Sequence, residues 1–163
     1  MDIRHAKLIS AMTEYDAGDT ARIQHFIKVH DFARLIGQTE RLDDTTQLTL
    51  ELAALVHDIG INPSRAKYNS SAGRYQEIEG PPKARQLLSR YDLPCEMIDR
   101  VCYLVGHHHT YTQIDGLDYR ILVEADFLVN LYEDGSSRDA IEHALARCFQ
   151  TQTGIKLLKT MFL

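Results

Sequence analysis

Apolar positions recur three and four residues apart along most of this chain, the spacing of one helix face, and strand-like alternation is absent. The most apolar run, Leu52-Ala53-Ala54-Leu55-Val56, leads straight into His57-Asp58, and Gly60 follows. A capped helix from Thr45 or Asp44 to Asp58 is expected there, with Gly60 as its stop signal. Upstream, Thr20 to Gly37 reads as a helix. Ile23, Phe26, Ile27, Val29, Phe32, Ala33, Leu35 and Ile36 form a broad apolar arc, and Gln24, Lys28, Asp31 and Gln38 lie opposite. His25 and His30 both fall within the arc, near opposite edges. Periodicity does not choose between them, and either suits a core histidine with a backbone partner. Downstream, Asp118 to Glu133 is apolar nearly all round, which predicts a buried helix. It nonetheless carries Asp126 and Asn130 on one face, where the alternative is a solvent stripe with Glu133.

The remaining pattern predicts shorter helices. They span residues 2–15 with Asp2 as a cap, Pro81 to about Tyr91 with both prolines in the first turn, and Leu93 to Gly106. Another runs from a cap at Ser136 or Ser137 to about Gln150, and Gly154–Leu163 is amphipathic. Residues 61–80 are polar, irregular and long enough to suggest a functional or mobile loop, or a solvated insertion. The fold class is therefore all-α, a single domain with its core between residues 20 and 133 and C-terminal helices packed on it. The tail is expected to dock on this domain or on a second copy, so a homo-oligomer is allowed.

Composition narrows the function without naming it. The 163 residues are 44% hydrophobic and 25% charged, ordinary for a globular domain, and the net charge of −5 argues against a large nucleic-acid surface. No apolar run reaches membrane-spanning length, and none suggests a signal peptide. Cys95, Cys102 and Cys148 form no CxxC pair and leave an odd count, which suits a reducing, cytoplasmic setting. Cys95 and Cys102 read as small buried hydrophobes. Eight histidines are many for this length, and His107-His108-His109 is an internal run. His5 reads as a surface residue, and His143 as structural or exposed.

A carboxylate and an imidazole at the end of an apolar helix are costly to bury without a partner, and a divalent transition metal accepts both. The bland alternative is a helix end at the surface. Four places carry inward-capable ligands: His25, His57-Asp58, the run at His107, and Asp126. With that histidine, the doublet and the distant aspartate, the chain resembles the HD superfamily of metal-dependent phosphohydrolases over roughly Arg22 to Asn130. The resemblance implies that His25, His57, Asp58 and Asp126 surround one divalent ion, with Fe, Mn, Zn, Co and Ni all suitable. Some relatives hold a second ion with extra histidines, and here Glu79, His107 and His108 are the matching candidates, with Asp58 bridging. Glu79 stands where that pattern has histidine, so it also suits a general acid or base, and Glu77 and Glu79 also read as solvated loop charges. Neither the Gly-Tyr-Pro signature nor the lysine of cyclic-dinucleotide phosphodiesterases is present, which disfavours that activity.

The implied chemistry is hydrolysis of a phosphate ester or anhydride in a small, nucleotide-like molecule. An ion of this kind acidifies a water and draws charge from a phosphoryl oxygen. Arg65, Lys67 and Arg74 are the candidate phosphate contacts, each also readable as a solvated charge. Glu77 is a further candidate for catalysis or substrate binding. Two rivals stand beside this reading: a di-iron oxygenase of the same fold, and a non-catalytic nucleotide-binding regulatory module.

Overall fold

A computed structural model describes residues 3–163, so a cap at Asp2 lies outside the described residues. They form nine helices and no strand: α1 (Ile3–Tyr15), α2 (Thr20–Thr39), α3 (Asp44–Val56), α4 (Ile61–Tyr68), α5 (Gly73–Leu88), α6 (Cys95–Val105), α7 (Leu117–Glu133), α8 (Arg138–Cys148) and α9 (Gln152–Phe162). The all-helical class follows the spacing. Asp19, Asp43, Ser137 and Thr151 accept backbone N–H groups at the starts of α2, α3, α8 and α9, which fixes where those helices begin.

Helices α2, α3 and α7 pack against one another at the centre, with α6 on α3 and α5 on α6. The run from Leu52 to Val56 is buried on every face, as are Val29, Ala33 and Ile36 of α2 and Ile121, Leu122 and Ala125 of α7. Small residues at Ala33, Ala53, Ala54 and Ala125 sit within this core. Both α8 and α9 pack on α7, and buried Glu124 of α7 accepts the backbone N–H groups of Gln150 and Thr151 at 2.7 and 2.9 Å, tying their connection down. The tail thus docks on its own domain.

Several expectations need correction here. Residues 61–80 are not an irregular loop but α4 and the first half of α5, so Pro81 and Pro82 fall inside α5 rather than in a first turn. Two glycines and two prolines hide this helix from a propensity reading, yet packing favours it. Tyr68 and Tyr75 stack at 4.2 Å between α4 and α5. A Cβ on Gly60 would meet Gln76 O at 2.6 Å and Gly80 N at 2.9 Å, so α5 crosses against the bare Gly60 backbone. Gly60 has φ −72°, so it serves close approach and not a left-handed helix stop. Cys102 and Cys148 are buried, whereas Cys95, the first residue of α6, is exposed.

Candidate metal centre

The end of α3 delivers the doublet. His57 caps the helix and is buried, and its Nδ1–H donates to Ala54 O at 2.8 Å, one turn back. A carbonyl only accepts, so the proton sits on Nδ1 and the lone pair of Nε2 points away from α3. His25 on α2 is set the same way, its Nδ1–H donating to Glu133 at 2.9 Å. Lys28 also pairs with Glu133, and although burial opposes it, these two partners keep that carboxyl below its usual range. The oriented Nε2 atoms of His25 and His57 stand 3.2 Å apart. Asp126 of α7 brings Oδ1 to 3.2 Å from His25 Nε2 and 3.6 Å from His57 Nε2, and Asp58 Oδ2 is 3.6 Å from both. Asn130, one turn along α7, donates to Asp126 Oδ1 at 2.9 Å.

Four acceptors therefore converge with no donor among them. Atoms held by one ion at about 2.0–2.2 Å, in tetrahedral or octahedral array, stand about 2.8–3.6 Å from each other. The observed separations of 3.2–3.6 Å fit that range. The electrostatics agree. Burial disfavours charge on His57, but Asp58, Asp126 and the Ala54 carbonyl outweigh it and lift the imidazole to about 9. Burial likewise opposes the charge on Asp58 and Asp126, yet the histidines hold both well below the usual carboxylate range. Two acids, Asp126 buried and Asp58 partly exposed, demand positive charge here, and a proton is the substitute when no cation is bound.

Asp58 has a second side. Its Oδ1 lies 3.5 Å from Nε2 of His108, whose Nδ1–H donates to Val105 O at 2.8 Å. Nε2 of His108 and of His109 are both buried with no hydrogen-bond partner, and Asp58, His108 and His109 can together present one ligand atom each to a single point. Burial, then neighbouring His108, depress His109 to about 4, so it stays neutral, as a ligand must. The histidine run is held as a tight turn. Glu77 of α5 accepts from His109 N at 3.1 Å and Thr110 Oγ1 at 2.9 Å, and the Tyr119 hydroxyl of α7 is shared between the carbonyls of His107 and Thr110.

The structure thus brings His25, His57, Asp58, Asp126 and His108 together. It adds His109, which sequence reasoning missed because a run of three does not reveal which members a turn faces inward. Two candidates stand apart. His107 stacks on Tyr103 at 4.1 Å and donates Nδ1–H to Tyr103 O. Glu79 accepts from Lys67 at 2.7 Å and Tyr68 at 2.8 Å, because the helical course of α5 turns it toward α4. Neither joins a metal-capable group among the described residues. Lys67 is engaged by Glu79, Arg74 lies on the Tyr75 ring, and Arg65 is exposed, 3.9 Å from Asp19. Glu77 is a positioning residue in this geometry, tied to the histidine turn.

A family model for the HD domain matches residues 22–146. The chain belongs to the HD domain family. Its fold is similar to a crystal structure of a predicted HD superfamily hydrolase from an uncultured Thermotogales bacterium. That likeness has TM-score 0.70 at 22% identity over 95% of this chain and 83% of the other. No curated protein matches the sequence significantly. In this HD domain the matched region runs from the start of α2 into α8 and contains every member of the centre.

Proposed function

We propose that this HD domain protein is a metal-dependent phosphohydrolase that cleaves a phosphate ester or anhydride in a small, nucleotide-like molecule. The observation that carries this reading is the placement of Asp58 between two donor sets. One is His25, His57 and Asp126, and the other is His108 and His109. These residues would hold one or two divalent transition ions, with Asp58 shared. When bound, such ions acidify a water and offset charge on a phosphoryl oxygen.

The protein's own residues supply orientation. Glu133, Ala54 and Val105 fix three ring tautomers, and Asn130 fixes the Asp126 carboxylate. A cleft of about 690 Å³ lies beside the centre, lined by Tyr111, Phe127, Asn130, His143 and Arg147 among others. Asn130 is common to the cleft and the centre. Tyr111 and Phe127, with ring centroids 5.1 Å apart, offer an aromatic wall for a base. The guanidinium of Arg147, which also lines the cleft, offers a phosphate contact. In this reading the basic contact comes from Arg147 of α8 rather than from residues 61–80.

A panel of nucleoside mono-, di- and triphosphates and phosphodiesters, assayed for phosphate or nucleoside release with Mn²⁺, Co²⁺, Fe²⁺ or Zn²⁺, tests the reading. Turnover is expected with at least one ion, and Asp58→Asn is expected to lower kcat by at least about 100-fold. Absence of turnover across the panel by metal-loaded protein would contradict it. The paired histidines His108 and His109 also suit a di-iron oxygenase. Substrate-dependent oxygen consumption by the iron-loaded protein, without phosphate release, would favour that second reading.

A further inference from the structure

A second group of buried ligands lies away from this centre. His5 of α1, His30 of α2 and Glu51 of α3 are 5%, 1% and 6% exposed. Glu51 Oε2 stands 3.1 Å from His5 Nε2 and 3.6 Å from His30 Nε2. These separations also lie in the range of about 2.8–3.6 Å expected of atoms sharing one ion. Two of the three groups, His30 and Glu51, are oriented as a ligand is. His30 Nδ1 faces Asp31 Oδ1 at 3.3 Å, so its proton sits there and Nε2 is left as the inward lone pair. The Gln47 amide donates to Glu51 Oε1 at 2.7 Å, leaving Oε2 for the site.

Close as these groups are, they leave buried ring nitrogens without a well-aligned hydrogen bond. His30 Nε2 and both ring nitrogens of His5 are buried without an aligned hydrogen-bond partner, although His5 Nε2 and Glu51 Oε2 lie within ion-pair distance. Leaving such buried atoms unsatisfied is costly. Lone pairs that converge on a point, rather than on one another, call for a cation at that point. From the sequence His5 reads as a surface residue. Burial against α2 and α3 corrects that.

We propose that His5, His30 and Glu51 hold a structural divalent cation that fastens α1 to α2 and α3. Two imidazoles and a carboxylate suit Zn²⁺ best among common ions. A cleft of about 360 Å³ bordered by His5, Gln47 and Glu51 admits a water as the fourth ligand. The site shares no residue with the Asp58 centre and does not depend on the reaction proposed for it.

The test uses the full chain, stripped with a chelator and reloaded with Zn²⁺. Equilibrium dialysis of the wild type, His5→Gln and His30→Gln is expected to show one fewer tightly bound zinc in each variant. The zinc-induced rise in Tm should shrink with it, while the helical circular dichroism is retained. In crystals of zinc-loaded wild type, an anomalous peak is expected between His5 Nε2, His30 Nε2 and Glu51 Oε2. Unchanged zinc stoichiometry in folded variants would overturn the proposal. So would a map with no peak there at saturating zinc, which leaves a protonated histidine–glutamate pair as the occupant. The map decides the matter even if neither variant folds.

Discussion

His57 states the chemistry of the centre at the scale of one residue. Its ring is oriented by a backbone carbonyl, and its free nitrogen faces another imidazole and two acids. Without metal its pKa is raised from 6.5 to about 9, so the folded metal-free protein holds a proton at pH 7 that the unfolded chain largely lacks. The sign follows directly. This contribution to stability is fully present below pH 6.5 and is lost as pH rises through 9. Thermal melts of metal-free protein are therefore expected to show Tm falling from pH 6.5 to 9, with a smaller fall once metal is loaded. Because a ligand imidazole must be neutral, metal binding at pH 7 should release at least one proton. Calorimetry in buffers of different ionisation enthalpy reads that release, and a buffer-independent heat would count against it. The doublet was legible in the sequence because two polar residues closed an apolar run. The choice between His25 and His30 was not, since both lie on buried arcs of one helix and only the neighbours on α3 and α7 distinguish them.

At the scale of elements, α5 and the histidine turn hold the centre's second side in place. The bare backbone at Gly60 lets α5 cross close to the doublet, with Gln76 O 2.6 Å from where a Cβ would sit. Gly60→Ala is expected to lower stability by roughly 1–3 kcal/mol, since backbone rather than a flexible side chain must yield. Chemical denaturation measures this, and an unchanged midpoint would mean that α5 shifts freely. Glu77→Ala removes the acceptor of His109 N and Thr110 Oγ1. It should weaken a second metal by about 10–100-fold while leaving the first in place, as supporting partners of ligands do. Metal titration followed by cobalt absorption separates the two ions. Residues 61–80 were illegible because Gly73, Gly80, Pro81 and Pro82 speak against a helix locally. The tyrosine stack and the Gly60–Gly80 crossing that favour it join residues a sequence window does not pair.

Across the whole molecule, three central helices bring their ligands together where they pack. His25 comes from α2, the doublet from the end of α3 and Asp126 from α7. A metal held by these residues would be coupled to the fold. With free metal at 100 times Kd, binding adds about 2.7 kcal/mol to stability. For a chain of this size that is a rise in Tm of roughly 5–10 °C, reversed by a chelator. The helical class was legible throughout, because hydrophobic spacing survives folding unchanged. The inward members of the histidine run and the burial of His5 were not, because each depends on how separate helices meet.

In the proposed centre a single cation joins His25, His57, Asp58 and Asp126. Anomalous diffraction above and below the absorption edge of the metal loaded into crystals of the full chain tests it most directly. A peak is predicted within bonding distance, about 2.0–2.2 Å, of His25 Nε2, His57 Nε2 and a carboxylate oxygen of each aspartate. A metal-saturated crystal with no anomalous density among these four side chains would contradict the account.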